Sequence, residues 1–522
     1  MRYVKHAIFI GMIELFFTSH LVYALPFSII PNGSLPTIVP SGGTVSATYN
    51  ITNTTKINMT RNLVKWLPPN VEINPSLTTC TPSNAFNLNP GATCALGLTI
   101  SGPINKNDTN PHHHLFVCMS DQATCAGPTP DNSLNVTQTE TAYVAVGAYT
   151  PNTDEPGIAT SPDGKTWVKQ TLTPPDGFLF GSLQGVSCLG QLCVAAGLYT
   201  SSGSLDNAIP GIAISTNKGA TWSQQAFTSL PSSPVVMTNG QLNGSNCTAQ
   251  GCVNVGFFST NSNTNYAAIF TSTDHSNWSY QALSLPTGVT NVELNGINCN
   301  TGICVAVGNF LDTTDDFQHP GIAISTNRAA WSQLELNLPV GYSGDASLNS
   351  VSCVQNSCIA VGSFTNSITS FLFPGVAVSS DNAKTTWTEQ VLSTLPSTPP
   401  GISLVQGELI GISCTSTYCV AVGDYDDSLG NHYPGVAISI DSQHMVWSQT
   451  ALTSLPSFSG IPMVQGQFNS VTCTNSVCIA VGVYADNNNI SYPGVAYSSD
   501  NGNTWTQQVL PTLGGDVLIG VN

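Results

Sequence analysis

The stretch SSDNGNTWTQQ, residues 498–508, has the chemistry of a tight connection between two antiparallel strands. Gly502 tolerates positive φ, Asp500 offers an acceptor to the free backbone N–H groups of a turn, and Trp505 carries a large ring to bury beneath it. The pattern recurs at Ser161 (SPDGKTW), Ser215 (STNKGATW), Ser272 (STDHSNW), Ser325 (STNRAAW), Ser379 (SSDNAKTTW) and Ser439 (SIDSQHMVW). Acceptor and ring are Asp163 and Trp167, Asn217 and Trp222, Asp274 and Trp278, Asn327 and Trp331, Asp381 and Trp387, Asp441 and Trp447, and Asp500 and Trp505. Successive tryptophans stand 53 to 60 residues apart, a period suited to a four-stranded sheet and not to a helical solenoid unit.

Each unit reads as four short strands. In the sixth, GISC (411–414), CVAVGDY (419–425), PGVAIS (434–439) and VWSQT (446–450) are separated by turn-forming residues. The first-to-second and third-to-fourth connections are tight, and the other two are long. In an up-and-down sheet alternate connections fall at opposite ends, so the long loops share one face, where a binding surface is expected. The first unit has its second strand at 143–149 but nothing to serve as a first strand ahead of it. Residues 518–522 (LIGVN) match 183–187 (LQGVS), just before Cys188, so the C-terminal residues are expected to pair with Tyr143–Tyr149 and close a ring without open edges.

The S-x-D-x-G-x-T-W pattern resembles the Asp-box of sialidase-like propellers. The resemblance implies an all-β fold, a seven-bladed β-propeller with Asp-box hairpins over residues 134–522, and it implies that the boxes lie on the rim and serve folding. Residues 25–133 lack the repeat and are expected to form a small β-sandwich domain ahead of it. Within it, FNLNPGATCALGLTISG (86–102) alternates apolar and polar positions and resembles immunoglobulin-like bacterial modules.

Residues 1–24, with Arg2 and Lys5 ahead of an apolar run and Val22 and Ala24 near its end, read as a signal peptide. Sixteen cysteines in an exported chain favour disulfides over metal ligands. Six pairs share the spacing C-x4-C: Cys188–Cys193, Cys247–Cys252, Cys299–Cys304, Cys353–Cys358, Cys414–Cys419 and Cys473–Cys478. Each would staple a hairpin, a short loop whose closure contributes about 2 kcal/mol. Cys80–Cys94 and Cys118–Cys125 are the simplest of the pairings open to the other four.

With 11 basic against 28 acidic residues and a net charge of −17, the chain has no basic footprint for nucleic acid or an anionic membrane surface. No segment has the length for membrane insertion. Composition says nothing of oligomeric state.

The search for chemistry runs mostly by exclusion. Sialidases hold the substrate carboxylate with three arginines, whereas residues 25–522 contain two, Arg61 and Arg328; lysine does not reproduce the bidentate fork. Acidic groups in the long loops, Asp154 and Glu155, Asp312, Asp315 and Asp316, and Asp424, Asp426 and Asp427, would suit a carboxylate-dependent glycoside hydrolase or lyase. As solvated loop acids they would serve only a binding surface. Aromatics at G-x-[YF] in every unit (Tyr149, Tyr199, Phe258, Phe310, Phe364, Tyr425 and Tyr484) have the regularity of packing. The variable Phe371, Phe373, Tyr433 and Tyr492 are the aromatic candidates for ligand contact. His112, His113 and His114 read as loop histidines, since neighbours on an extended chain point apart. The expectation is therefore an exported binding protein for a glycan or protein surface, without cofactor or metal; a structural surface protein is the remaining alternative.

Overall fold

A computed structural model describes residues 25–522 except 41–44, 81–84, 122, 140–142, 150–154, 203–206, 301, 382–385, 442 and 512–515. The expected signal peptide and Asp154 lie outside the described residues. Among those residues the chain forms strands and three single-turn 3₁₀ segments, with no α-helix. It divides into two compact units, one ending at Gln138 and one running from Thr139 to Asn522.

The first unit is built from two four-stranded antiparallel sheets. One orders Phe27–Pro31, Val45–Asn53, Thr93–Ile100 and Val71–Ile73, and the other Ala85–Leu88, Met59–Trp66, Phe116–Cys118 and Cys125–Ala126. Alternate residues of Val45–Asn53 are buried, and Tyr49, Ile51, Leu96 and Leu98 of the first sheet share one core with Met59, Phe86 and Val117 of the second. Cys80 bonds Cys94 and Cys118 bonds Cys125.

The second unit is a β-propeller of consecutive antiparallel sheets. In the sixth, Leu404–Cys414, Cys419–Asp427, His432–Ser439 and Ser448–Ala451 lie in chain order. In the first, Val517–Val521 pairs antiparallel with Tyr143–Tyr149, Ala145 opposite Val521 and Ala148 opposite Val517. The expected C-x4-C disulfides staple the hairpins between first and second strands.

Hydrogen bonds tie the sheets edge to edge. The residue before each first cysteine accepts from the cysteine N–H of the next sheet: Ser187 from Cys247 at 2.9 Å, Asn246 from Cys299 at 3.1 Å, Asn298 from Cys353 at 3.3 Å, Ser352 from Cys414 at 3.1 Å and Ser413 from Cys473 at 3.0 Å. Asn522 supplies the same bond to Cys188 at 2.9 Å, and Ser470 of the last sheet accepts from the Val521 N–H at 3.3 Å. The first strands bulge between Leu294 and Gly296, Leu409 and Gly411, and at corresponding places elsewhere. That kink turns residues such as Asn295 and Asn469 toward a common central cavity of about 410 Å³.

The boxes cap their turns as expected. Asp163 Oδ1 accepts from the N–H groups of Lys165 and Thr166 at 2.9 and 2.7 Å, and the Trp167 indole donates to the Gly164 carbonyl at 3.0 Å. Each indole that donates to its own turn, as Trp222 does to Gly219 and Trp505 to Gly502, also reaches the preceding sheet. Trp167 packs with Ile479 and Val481 of the preceding sheet, and Trp331 with Val253 and Val255. These clusters draw on two adjacent sheets, so the tryptophan helps seal the joint between them.

The recurrent aromatics are buried, and their rings explain the repeated Pro-Gly of the third strands. A Cβ on Gly435 would lie 2.7 Å from the Tyr425 ring, and one on Gly321 2.1 Å from that of Phe310. The hydroxyls of Tyr199, Tyr425 and Tyr484 donate to Gln224, Gln449 and Gln507 at 2.8–2.9 Å. In the first sheet Lys169 takes the glutamine's place, its ammonium 4.3 Å from the Tyr149 ring centre and ion-paired with Asp516.

Candidate functional site

Strand alternation splits the acidic run of the sixth sheet. Tyr425 and Asp427 face one way. Asp424 and Asp426 face the other, the side from which Val420 and Val422 pack with the seventh sheet. Glu408 lies opposite Asp424 on the first strand, while Gln406 and His432 flank Asp426. Five polar side chains are thereby gathered at the long-loop end of one sheet face.

His432 Nδ1 lies 3.1 Å from Asp424 Oδ2 and 2.5 Å from Asp426 Oδ1, but only the Asp424 contact has hydrogen-bond geometry. Gln406 Nε2 donates to Asp426 Oδ2 at 2.7 Å. Asp424 and Asp426 are 5% and 9% exposed, and Oδ1 of each has no hydrogen-bond partner. Burial, reinforced by the charges of Asp424 and Asp426, pushes Glu408 up to about 7. The hydrogen bond to Asp424, with the charges of both aspartates, outweighs partial burial and raises His432 to about 9. Burial also raises Asp424, against the pull of His432. The cluster thus favours bound protons at Glu408, Asp424 and His432.

The corresponding face of the fourth sheet is largely neutral. Asn309 donates to Gln318 at 2.9 Å, and Glu293 accepts from Asn265 of the preceding sheet at 2.6 Å. After V-A-V-G or its equivalent the other units carry Ala148, Leu198, Phe257, Asn309, Ser363 and Val483, so Asp424 is the acidic exception, a signal readable by aligning the repeats. Glu408 was missed because the bulge sets the register that brings it opposite Asp424, and His432 because only the pairing of second and third strands places it opposite Asp426.

Asp427 does something else. Its Oδ1 accepts from Leu429 and Asn431 N–H groups at 2.8 and 3.0 Å, and its Oδ2 from the buried Tyr433 hydroxyl at 3.3 Å. Asp486 and Tyr492 repeat the arrangement, the Tyr492 hydroxyl 3.5 Å from Asp486 Oδ2. Asp427, Tyr433 and Tyr492, expected as ligand contacts, make hydrogen bonds that hold their own loops closed, the third-strand tyrosine reaching back over the turn that the aspartate caps.

In the fourth sheet, His319 is clamped from both ends, Nδ1 2.6 Å from Glu335 and Nε2 3.0 Å from Asp315. Asp312 is held below the usual range by the hydroxyl and N–H of Thr314. Asp316 is exposed at φ 61°. Glu155 pairs opposite Tyr149. Phe371 is exposed, and Phe373 packs edge-on against Tyr342, centroids 6.3 Å apart. The structure therefore brings Asp424 and Asp426 together, and Asp312 with Asp315 around His319, as two separate groups on different sheets. Among the described residues two sets of three donors each lie within 4.8 Å: Asp312, His319 and Glu335, and Asp424, Asp426 and His432.

Other candidates are committed to structure. The cavity amides bond the next sheet, Asn243 to the Leu294 carbonyl at 2.9 Å and Asn469 to that of Leu518 at 2.8 Å. Arg328 binds the Gly251 carbonyl at 3.1 Å and the Thr248 hydroxyl at 2.5 Å. In the first unit Asp108 holds His113 at 2.7 Å, and His112 packs edge-on against Trp66.

No protein-family model matches this chain, and no curated protein matches it. Among solved structures it is similar to a Hadza microbial sialidase at TM-score 0.40 and 12% identity, over 92% of this chain and 99% of that one. It is similar to the phage phi92 endosialidase at TM-score 0.40 and 9% identity, over 71% of each chain. It is also similar to the Penicillium chrysogenum α-L-arabinanase complexed with arabinobiose, at TM-score 0.37 and 13% identity, over 62% of this chain and 94% of that one.

Proposed function

We propose that this chain is an exported, non-catalytic binding protein in which an immunoglobulin-like module precedes a seven-bladed Asp-box propeller, and the long-loop face of the propeller docks a protein surface. Eight disulfides support an oxidising compartment; no helix is long and apolar enough to cross a membrane. The observation carrying the reading is where exposed apolar side chains sit. Leu179, Val340, Ile368, Phe371, Leu429 and Ile490, between 39% and fully exposed, all lie in connections between second and third strands or between sheets. Leu189, Ile440 and Val446 are exposed at the tight-turn end, so the apolar tips are more numerous at the long-loop end without being confined to it. Such tips favour an interaction surface there, and aliphatic tips suit a protein better than the aromatic platforms that stack on sugars.

Immobilised protein is to be offered extracellular proteins and, separately, a glycan array. Capture of a defined protein, lost in an I368S/L429S variant and kept in an I440S/V446S variant altered at the opposite end, is the expected result. Equal capture by both variants, or glycan binding alone, would sink this assignment of ligand and face.

Glu408 beside Asp424 and Asp426 favours a second reading, a glycoside hydrolase or lyase in which a carboxyl raised to about 7 donates or takes the proton. Release of reducing or unsaturated sugar ends from a polysaccharide panel, abolished by Glu408→Gln, would establish it over the first.

A further inference from the structure

We infer that Asp424, Asp426 and His432 form a binding site for a first-row divalent cation, Zn²⁺ or Mn²⁺, at the long-loop end of the sixth sheet. The reading rests on donor geometry, burial and unmet hydrogen bonding, and does not depend on the binding partner proposed above.

The donor atoms are gathered within 4.8 Å of one another; the Asp424 contact is near the spacing a shared cation imposes, and the Asp426 contact would have to open by about 0.8 Å. A cation with bonds of about 2.05 Å in a tetrahedral shell holds its ligand atoms about 3.3 Å apart; His432 Nδ1 is 3.1 Å from Asp424 Oδ2 and 2.5 Å from Asp426 Oδ1. A single Nδ1 proton satisfies only the first of these, whereas a cation between the three groups would serve both carboxylates together.

Two buried acceptors support the same position, and of these Asp424 Oδ1 is the one not already counted in the contacts to His432. Asp424 and Asp426, 5% and 9% exposed, each leave Oδ1 without a hydrogen bond, a state that buried carboxylate oxygens rarely occupy without an ion or water. Gln406 fixes the outer oxygen of Asp426 at 2.7 Å, the outer-shell hydrogen bond that orients metal-bound carboxylates. Glu408 lies opposite Asp424 on the neighbouring strand but is not one of the three donors that come within 4.8 Å of one another. One imidazole nitrogen with two carboxylates suits Zn²⁺ or Mn²⁺ better than Ca²⁺, which takes six to eight oxygens.

The fourth-sheet set lacks these features. Both nitrogens of His319 already face carboxylates, and neither Asp312 nor Glu335 has a buried oxygen without a partner among the described residues.

The test is calorimetric titration of untagged, chelator-treated full chain with Zn²⁺, Mn²⁺ and Ca²⁺ chlorides, alongside melting curves. One equivalent of Zn²⁺ or Mn²⁺ should bind and raise the melting temperature, with little response to Ca²⁺. Asp424→Asn and Asp426→Asn should each weaken binding at least about 100-fold, and Gln406→Leu about 10-fold, with Asp315→Asn unchanged. His432 is partly exposed, so His432→Gln folds even if the aspartate variants do not, and it should weaken binding as they do. Absence of stoichiometric binding, a Ca²⁺ response without Zn²⁺ or Mn²⁺, or binding that survives His432→Gln would overturn the site.

Discussion

Asn522 Oδ1 accepts a hydrogen bond from the Cys188 backbone N–H at 2.9 Å, across 334 residues of sequence. It repeats at the ring closure the bond that Ser187 makes to Cys247 and Ser413 to Cys473. The first sheet is therefore tied to the second by the same device as every other joint for which the bond is described, with its acceptor supplied from the far end of the chain.

Removing residues 516–522 takes away a whole strand, the Asn522 bond and the Asp516 partner of Lys169, and exposes the edge of Tyr143–Tyr149. We expect a fall in melting temperature of well over 10 °C, while Asn522→Ala alone should cost about 1 kcal/mol. Thermal melts of both variants check this; an unchanged curve for the truncation would show that the ring does not depend on its last strand.

Gly435 faces the Tyr425 ring with no room for a β-branched side chain. Gly435→Val should destabilise the chain by about 1–3 kcal/mol, and Gly435→Ala by less, since Ala268 holds the corresponding place beside Phe258. Urea midpoints measure both. The double variant Gly435→Val/Tyr425→Ala should lose less than the sum of the single changes, because the clash disappears with the ring.

Burial pushes Asp441 up, but hydrogen bonds from the Ser439 hydroxyl and from the N–H groups of Val446, Met445 and Gln443 outweigh it and hold the carboxyl at about 2. A depressed folded-state value means that its stabilisation is present above its ordinary value near 3.8 and is lost as pH falls through about 2. Asp441→Ala should cost about 1–2 kcal/mol at neutral pH and converge with the parent in acid. Asp441→Asn should cost less, since Asn217 and Asn327 cap two boxes as neutral acceptors.

The sixth-sheet cluster reverses that sign. Glu408 rises from 4.5 to about 7 and His432 from 6.5 to about 9. Each stabilisation is present in full below the ordinary value and is lost as pH rises through the folded one. Metal-free protein should therefore lose stability stepwise between about pH 4.5 and 9, and Glu408→Gln should remove the lower step. Denaturant midpoints measured across that range decide it; a flat profile would show that burial does not hold these protons.

Much of this architecture was legible in the chain itself. The Ser-x-Asp boxes, the C-x4-C pairs and the echo of 183–187 in 518–522 are local patterns, and turn chemistry, hairpin stapling and strand completion follow from residues near one another or from direct repetition. Packing decided the rest. That Trp167 seals a joint with the preceding sheet, that Gly435 makes room for Tyr425, and that Tyr433 and Tyr492 close loops all depend on which faces meet. The candidate site shows the division most clearly: alternation separates Asp424 and Asp426 from Asp427, but a bulge near Leu409 sets the register that adds Glu408, and only the assembled sheet brings His432 between two buried carboxylates. A repeat encodes its own strands and turns, whereas the charge state of a buried group depends on neighbours that the fold alone brings within a few ångströms.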